Sequence, residues 1–139
     1  MSFLSNFRYR DLGLLFLRAT AGLYMAFGHG LSKIVAGPER WEQLGGTMEL
    51  FGLAFAPVFW GFMAALSEFV GALLVTVGFA FRIATALLIA TMTVAASMHL
   101  ITGDGSPETA IVYALIWIAL LLMGPGAYSV DARFGKQSA

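Results

Sequence analysis

The chain has no cysteine. Disulfides, thiolate metal sites, iron–sulfur clusters and thiol nucleophiles are excluded with it. Charge is scarce as well. Only 12% of the 139 residues are Asp, Glu, Lys or Arg, against about 25% in an average soluble domain. A water-soluble fold of this length would lack charged side chains for its surface. A surplus of either sign is missing too. Eight Lys and Arg face eight Asp and Glu, so no basic stripe exists to neutralise a phosphate backbone, and no nucleic acid is expected as a partner. A nucleotide fingerprint is also lacking, because Gly28-x-Gly30 has neither a third glycine nor a preceding strand. Disorder requires low hydrophobicity and high net charge, whereas 59% of these residues are apolar.

What the chain does have is long apolar runs. A bilayer-spanning helix needs about 20 mostly apolar residues. Residues 83–103 and 109–130 contain no Asp, Glu, Lys or Arg. Residues 57–80 are interrupted only by Glu68, and residues 12–34 carry Arg18, His29 and Lys33. The expected fold is therefore all-α, a polytopic membrane protein forming a single domain over 1–139. It is a four-transmembrane-helix bundle with spans at about 12–34, 57–80, 82–102 and 108–125. Pro38, Pro57, Pro107 and Pro125 fall at span edges, where a missing N–H does least harm. Gly103 to Pro107 reads as a tight turn, and Phe81-Arg82 as a shorter one. The loop over 36–56, with Trp41, Leu44, Met48, Leu50 and Phe51, reads as a short interfacial helix between helices 1 and 2.

Arg18 breaks the first apolar run too early for a cleaved signal peptide, so the first helix is expected to be retained. With the N-terminus inside, Arg8, Arg10, Arg82, Arg133 and Lys136 lie in the cytoplasm and Lys33 and Arg40 outside. Five against two predicts both termini in the cytoplasm. Trp41, Trp60, Tyr128 and Phe134 fall near the expected interfaces, where aromatic rings are favoured.

The ionisable residues within the spans, Arg18, His29, Lys33, Glu68 and His99, are the candidate ligand and proton-relay residues. A central charge costs roughly 2.5–3.5 kcal/mol on insertion scales, so Glu68 should face protein or water. Gly61, Ala64, Glu68, Gly71, Val75 and Gly78 recur every three or four residues and form one small-sided face that a neighbouring helix can approach. Arg18 and His29 are eleven residues apart, close to three turns, and share a face. Arg18 is expected to reach Glu68 from below, and His29 and His99 to approach each other above it. Gly28 and Gly30 should leave space beside the His29 ring, giving a polar pocket of about 300 Å³ or more lined by His29, Glu68 and His99. The structural counterparts are equally definite. Arg18–Glu68 would be an ion pair that sets helix register, Lys33 a snorkelling anchor, His99 a helix-end cap, and the methionines core filler. No metal site is expected. Two histidines could ligate haem, but no other haem signal accompanies them.

These residues fall in an order that resembles the DoxX family of small four-helix bacterial membrane proteins. The resemblance runs from about Leu14 to Phe134. It is carried by Arg18, Gly28-His29-Gly30-Leu31-Ser32-Lys33, Ser67-Glu68-Phe69-Val70-Gly71-Ala72, Gly78-Phe79-Ala80-Phe81-Arg82, His99, and Gly124-Pro125-Gly126-Ala127-Tyr128-Ser129-Val130-Asp131. Gly52 to Pro57 departs from it, being longer than the family's Gly-Leu-Pro-like turn. The resemblance implies a membrane subunit tied to redox work, since relatives are similar to the small subunit of a thiosulfate:quinone oxidoreductase.

Three functions remain open at this level. One is a membrane subunit of a redox complex that meets quinone through the Arg/His/Glu cluster, with a protein partner supplying electrons. Another is a non-catalytic membrane scaffold or assembly factor. The last is a small-solute or proton transporter, although no pair of broken helices appears. The lipid bilayer is a partner in all three, and a homo-oligomer is compatible with each.

Overall fold

Along α1 the buried positions are Leu14, Arg18, Ala21 and Met25. Their spacing of four, three and four residues is one helical stripe. In the computed structural model, which describes residues 8–137, that stripe faces the interior of an all-helical bundle; the described residues contain no strand. The two termini, expected in the cytoplasm, lie outside the described residues.

We define α1 as the rod over 8–35. It runs as α-helix over Arg8–Met25, widens into a π-turn at Ala26–Gly30, and resumes over Leu31–Val35. The short helix α2, Pro38–Gly45, leads into a 3-10 turn at Gly46–Phe51. The rod α3 covers Pro57–Leu66, a second π-turn at Ser67–Gly71, and Ala72–Val77. Then follow α4 (Phe81–Thr102), α5 (Glu108–Met123) and α6 (Val130–Gln137). The turn expected at Phe81-Arg82 falls instead at 78–80. Gly78 takes a left-handed conformation (φ 73°) and its N–H closes α3 on Leu74 O at 2.8 Å. A glycine is needed there, because an added Cβ would stand 2.5 Å from Ser129 Cβ.

α1 packs on α3, α3 on α4, α4 on α5, and α5 back on α1. Met25, Val75, Phe81, Leu88, Trp117 and Leu120 fill the centre, none more than 1% exposed. The outer faces are apolar too. Phe16, Ile83 and Leu122 are at least 70% exposed, the all-round hydrophobicity of helices that face lipid. Pro57–Val77 and Phe81–Thr102, of 21 and 22 residues, are long and apolar enough to cross a membrane; Glu108–Met123 is apolar but shorter.

The helix α2 packs tightly against the start of α3. An added Cβ on Gly45 would overlap Pro57 O, and one on Gly61 would overlap Trp41 O. The first residue of the small-sided α3 face therefore receives α2 and not another long rod. At the opposite end of the bundle Asp131 caps α4, its carboxylate accepting from Ala80 N at 3.0 Å and Phe81 N at 2.9 Å. This is the lower end of the bundle, and the end holding α2 and the 103–107 turn is the upper end.

Candidate ligand site

The two π-turns bring the upper polar residues together. Such turns break the regular hydrogen-bond ladder and are frequent at functional sites. Here they lie side by side, one on α1 and one on α3. Gly30 allows it, since a Cβ there would stand 2.5 Å from the Glu68 carbonyl and from Phe69 N. This corrects the expected role of Gly30. The space beside Gly30 is filled by the α3 backbone, and Gly28 has nothing within 4 Å.

Glu68 is 2% exposed. Its two carboxylate oxygens accept from Lys33 Nζ at 2.6 and 2.9 Å. The expected Arg18–Glu68 pair is not formed, and the snorkelling role expected of Lys33 is replaced by this ion pair. The reason is axial position. Fifteen residues separate Arg18 from Lys33, about 22 Å along α1, and α3 runs antiparallel to it, so Lys33 is the cation at the height of Glu68.

Arg18 works at the lower end. Its Nε donates to Thr76 O at 3.2 Å, one terminal nitrogen to Tyr128 O at 2.7 Å, and the other to Pro125 O. No carboxylate lies within ion-pair distance of it among the described residues. The guanidinium is held by carbonyls that end α3 and form the turn before α6, where helix C-terminal dipoles favour a cation. It joins α1, α3 and that turn, and stands apart from the other four candidates.

No hydrogen bond or ring contact joins His29 to His99, though both border one small cavity. The His29 ring stands edge-on to Tyr113 at 5.7 Å, and Tyr113 stacks on Trp117 at 5.9 Å. His99, in the last turn of α4, turns Nδ1 to Asp104 O. Two cavities flank the ion pair. The smaller, about 150 Å³, is bordered by His29, Lys33, Glu68, His99 and Tyr113 and reaches Ser106 in the upper turn. This is half the volume expected beside His29, because Met25, Met92 and Tyr113 crowd that side. The larger, about 480 Å³, lies between α2, α3 and α4 and does not touch His29. Met48, Phe59, Met63, Leu87 and Val94 give it apolar walls, and Lys33, Glu68 and His99 close its polar side.

Two further residues line the larger cavity that the sequence reading leaves out, Trp60 and Ser67. By sequence Trp60 is an interfacial aromatic. Ser67 could have been flagged, since it precedes Glu68 on the α3 surface. No group of three or more His, Asp or Glu side chains among the described residues could hold a metal ion.

The arrangement offers an apolar chamber with a polar, proton-bearing edge. A protein-family model described as DoxX matches residues 13–104. No curated protein and no solved structure matches the chain.

Proposed function

The chain belongs to the DoxX family and is a membrane protein, and from that premise we propose that it is the integral membrane subunit or anchor of a redox complex, binding quinone at the Lys33–Glu68 pair. The observation that carries the reading is the 480 Å³ cavity ending on that buried pair. Its volume falls within the range of about 300–1,000 Å³ usual for small-molecule sites, as does the pattern of apolar walls with a few polar groups. Phe59 and Leu87 on its wall are 52% and 42% exposed, so a lipid-soluble ligand could enter from the side.

Quinone reduction needs protons at both ring oxygens. His99 and Glu68 are groups that can hold and pass them. The smaller cavity leads from the ion pair to Ser106 and Thr109, both exposed at the upper end, and offers water a route to the same place. The chain's own residues carry no thiol and no nucleotide fingerprint, so electrons would come from a protein partner. In this reading α1, α3, α4 and α5 all span a bacterial inner membrane, α2 lies at its outer interface, and both termini are cytoplasmic.

The test is gentle purification followed by lipid extraction. Quinone should co-purify with the wild-type chain and be lost from Glu68→Gln and Lys33→Met. Wild-type protein carrying no quinone would overturn the reading. The scaffold reading would then stand in front, favoured by Arg18, whose three carbonyl bonds tie the lower end together and border neither cavity beside the ion pair.

A further inference from the structure

The smaller and the larger cavity share a polar wall made of Lys33, Glu68 and His99. Two of the three are committed to each other. Both Glu68 oxygens accept from Lys33, so moving a proton on or off either member breaks the ion pair. His29 and Tyr113 border the smaller cavity only, and Arg40, which stays charged, borders the larger only. Among the described residues, His99 is the titratable group that faces both cavities and can change charge without breaking that pair.

The imidazole is held for this. A carbonyl oxygen only accepts, so His99 Nδ1 carries the hydrogen that meets Asp104 O. In the neutral ring Nε2 is then the bare nitrogen. The upper turn keeps the ring in place. Gly105 has a left-handed φ of 73°, and a Cβ added to it would stand 3.1 Å from Nδ1 and 3.2 Å from Cε1.

Water has a way to this ring from one end of the bundle. The smaller cavity holds about 150 Å³, and one water needs about 10–15 Å³ of such space with two to four polar partners. His29, Tyr113, Ser106 and Thr109 supply partners beside the ion pair. Ser106 and Thr109 are exposed at the upper end. Toward the lower end Met25 and Met92 shut the cavity, and Leu88, Trp117 and Leu120 pack the interior beyond them, none more than 5% exposed.

We propose that His99 is the proton-exchanging residue of this site, and that its protons come and go only through the upper end. Water in the smaller cavity gives a proton to Nε2, and the imidazolium gives one to an oxygen acceptor in the larger cavity. No electron moves in the exchange, and the ring returns to its neutral form. The groups around it are Lys33 and His29 on α1, Arg40 on α2, Glu68 on α3, Tyr113 on α5 and Asp104 in the turn. Lys33 and Glu68 offset each other, so the charge gained by the ring is not opposed by an unpaired cation at the shared wall. This rests on the quinone reading above, within which the acceptor is a quinone oxygen.

The chain has two histidines and no cysteine, so an introduced probe reports on a single position. With both rings isotope-labelled for nitrogen NMR in lipid nanodiscs, and His29→Phe for assignment, neutral His99 should be the Nδ1–H tautomer. It should gain charge between about pH 8 and 5, and decylubiquinone should shift its Nε2 resonance. In sealed vesicles His29→Cys should react with a membrane-impermeant methanethiosulfonate from the face where Ser106→Cys reacts, and not from the face where Arg133→Cys reacts. An Nε2–H tautomer, a ring still neutral at about pH 5, or His29→Cys reacting from the lower face or from neither would overturn the proposal. So would decylubiquinone that binds by calorimetry and leaves Nε2 unmoved. In those cases the quinone reading survives. If decylubiquinone does not bind the wild-type chain, that reading falls and the proposal falls with it.

Discussion

Arg18 and Glu68 are buried to within 1% and 2% of their surfaces and do not meet. Each charge is satisfied at its own end of the bundle, Arg18 by three carbonyls and Glu68 by Lys33. Their energetics should therefore be independent. The melting losses of Arg18→Gln and Glu68→Gln in detergent should add to within about 0.5 kcal/mol, as for sites with no shared partner. Coupling well above that would show that the two charges communicate.

The Lys33–Glu68 pair should behave differently, and unequally. Lys33→Met leaves a carboxylate that is 3% exposed without a counter-charge, and should cost about 3–5 kcal/mol. Glu68→Gln leaves an ammonium whose side chain is 26% exposed and can turn toward water, so its cost should be well under half of that. The double variant should be less destabilised than the sum. Equal single-variant losses in thermal unfolding would contradict this asymmetry.

Two neighbouring glycines should respond in opposite directions. Gly30→Ala drives a Cβ into the Glu68 peptide and should cost about 1–3 kcal/mol, as overpacking does. Gly28→Ala meets open space and should stabilise by about 0.5–1 kcal/mol, the gain from replacing a helical glycine. If both variants melt alike, the close contact between the two π-turns is wrong.

Arg18→Lys keeps the charge but cannot fork to three carbonyls. At least two of Thr76 O, Tyr128 O and Pro125 O would lose their donor, a loss of about 2 kcal/mol or more. Circular dichroism melts of the purified variant measure it, and a wild-type melting temperature would show that charge alone is what matters there.

Reporter fusions settle orientation. A fusion at Ala139 should be active only as a cytoplasmic reporter, and one within Gly103 to Ser106 only as a periplasmic one, following the five-to-two excess of Lys and Arg on the inner side. The reverse pattern would invert the proposed topology.

Much of the fold is legible along the chain because it follows from local chemistry. Apolar runs with few charges require helices that close their own backbone hydrogen bonds, and the stripe of Leu14, Arg18, Ala21 and Met25 shows which side turns inward. The expense of a carboxylate in an apolar run marks Glu68 as buried against protein. The order of the motifs marks the family. None of these depends on where one helix stands relative to another.

The pairings and the cavities do depend on that. Whether Glu68 meets Arg18 or Lys33 is a matter of axial offset between α1 and α3. Two close approaches set it, Gly22 against Ala72 O and Thr76, and Gly30 against the Glu68 peptide. A cation fifteen residues along the rod is as legible as a partner from sequence, and only the register chooses between them. The widening of both rods into π-turns at that contact is likewise a tertiary outcome. So is the 480 Å³ chamber, since a cavity is what remains after side chains from three helices have packed. That Trp60 Nε1 and Ser67 Oγ are buried without a partner is likewise decided only by how the helices pack.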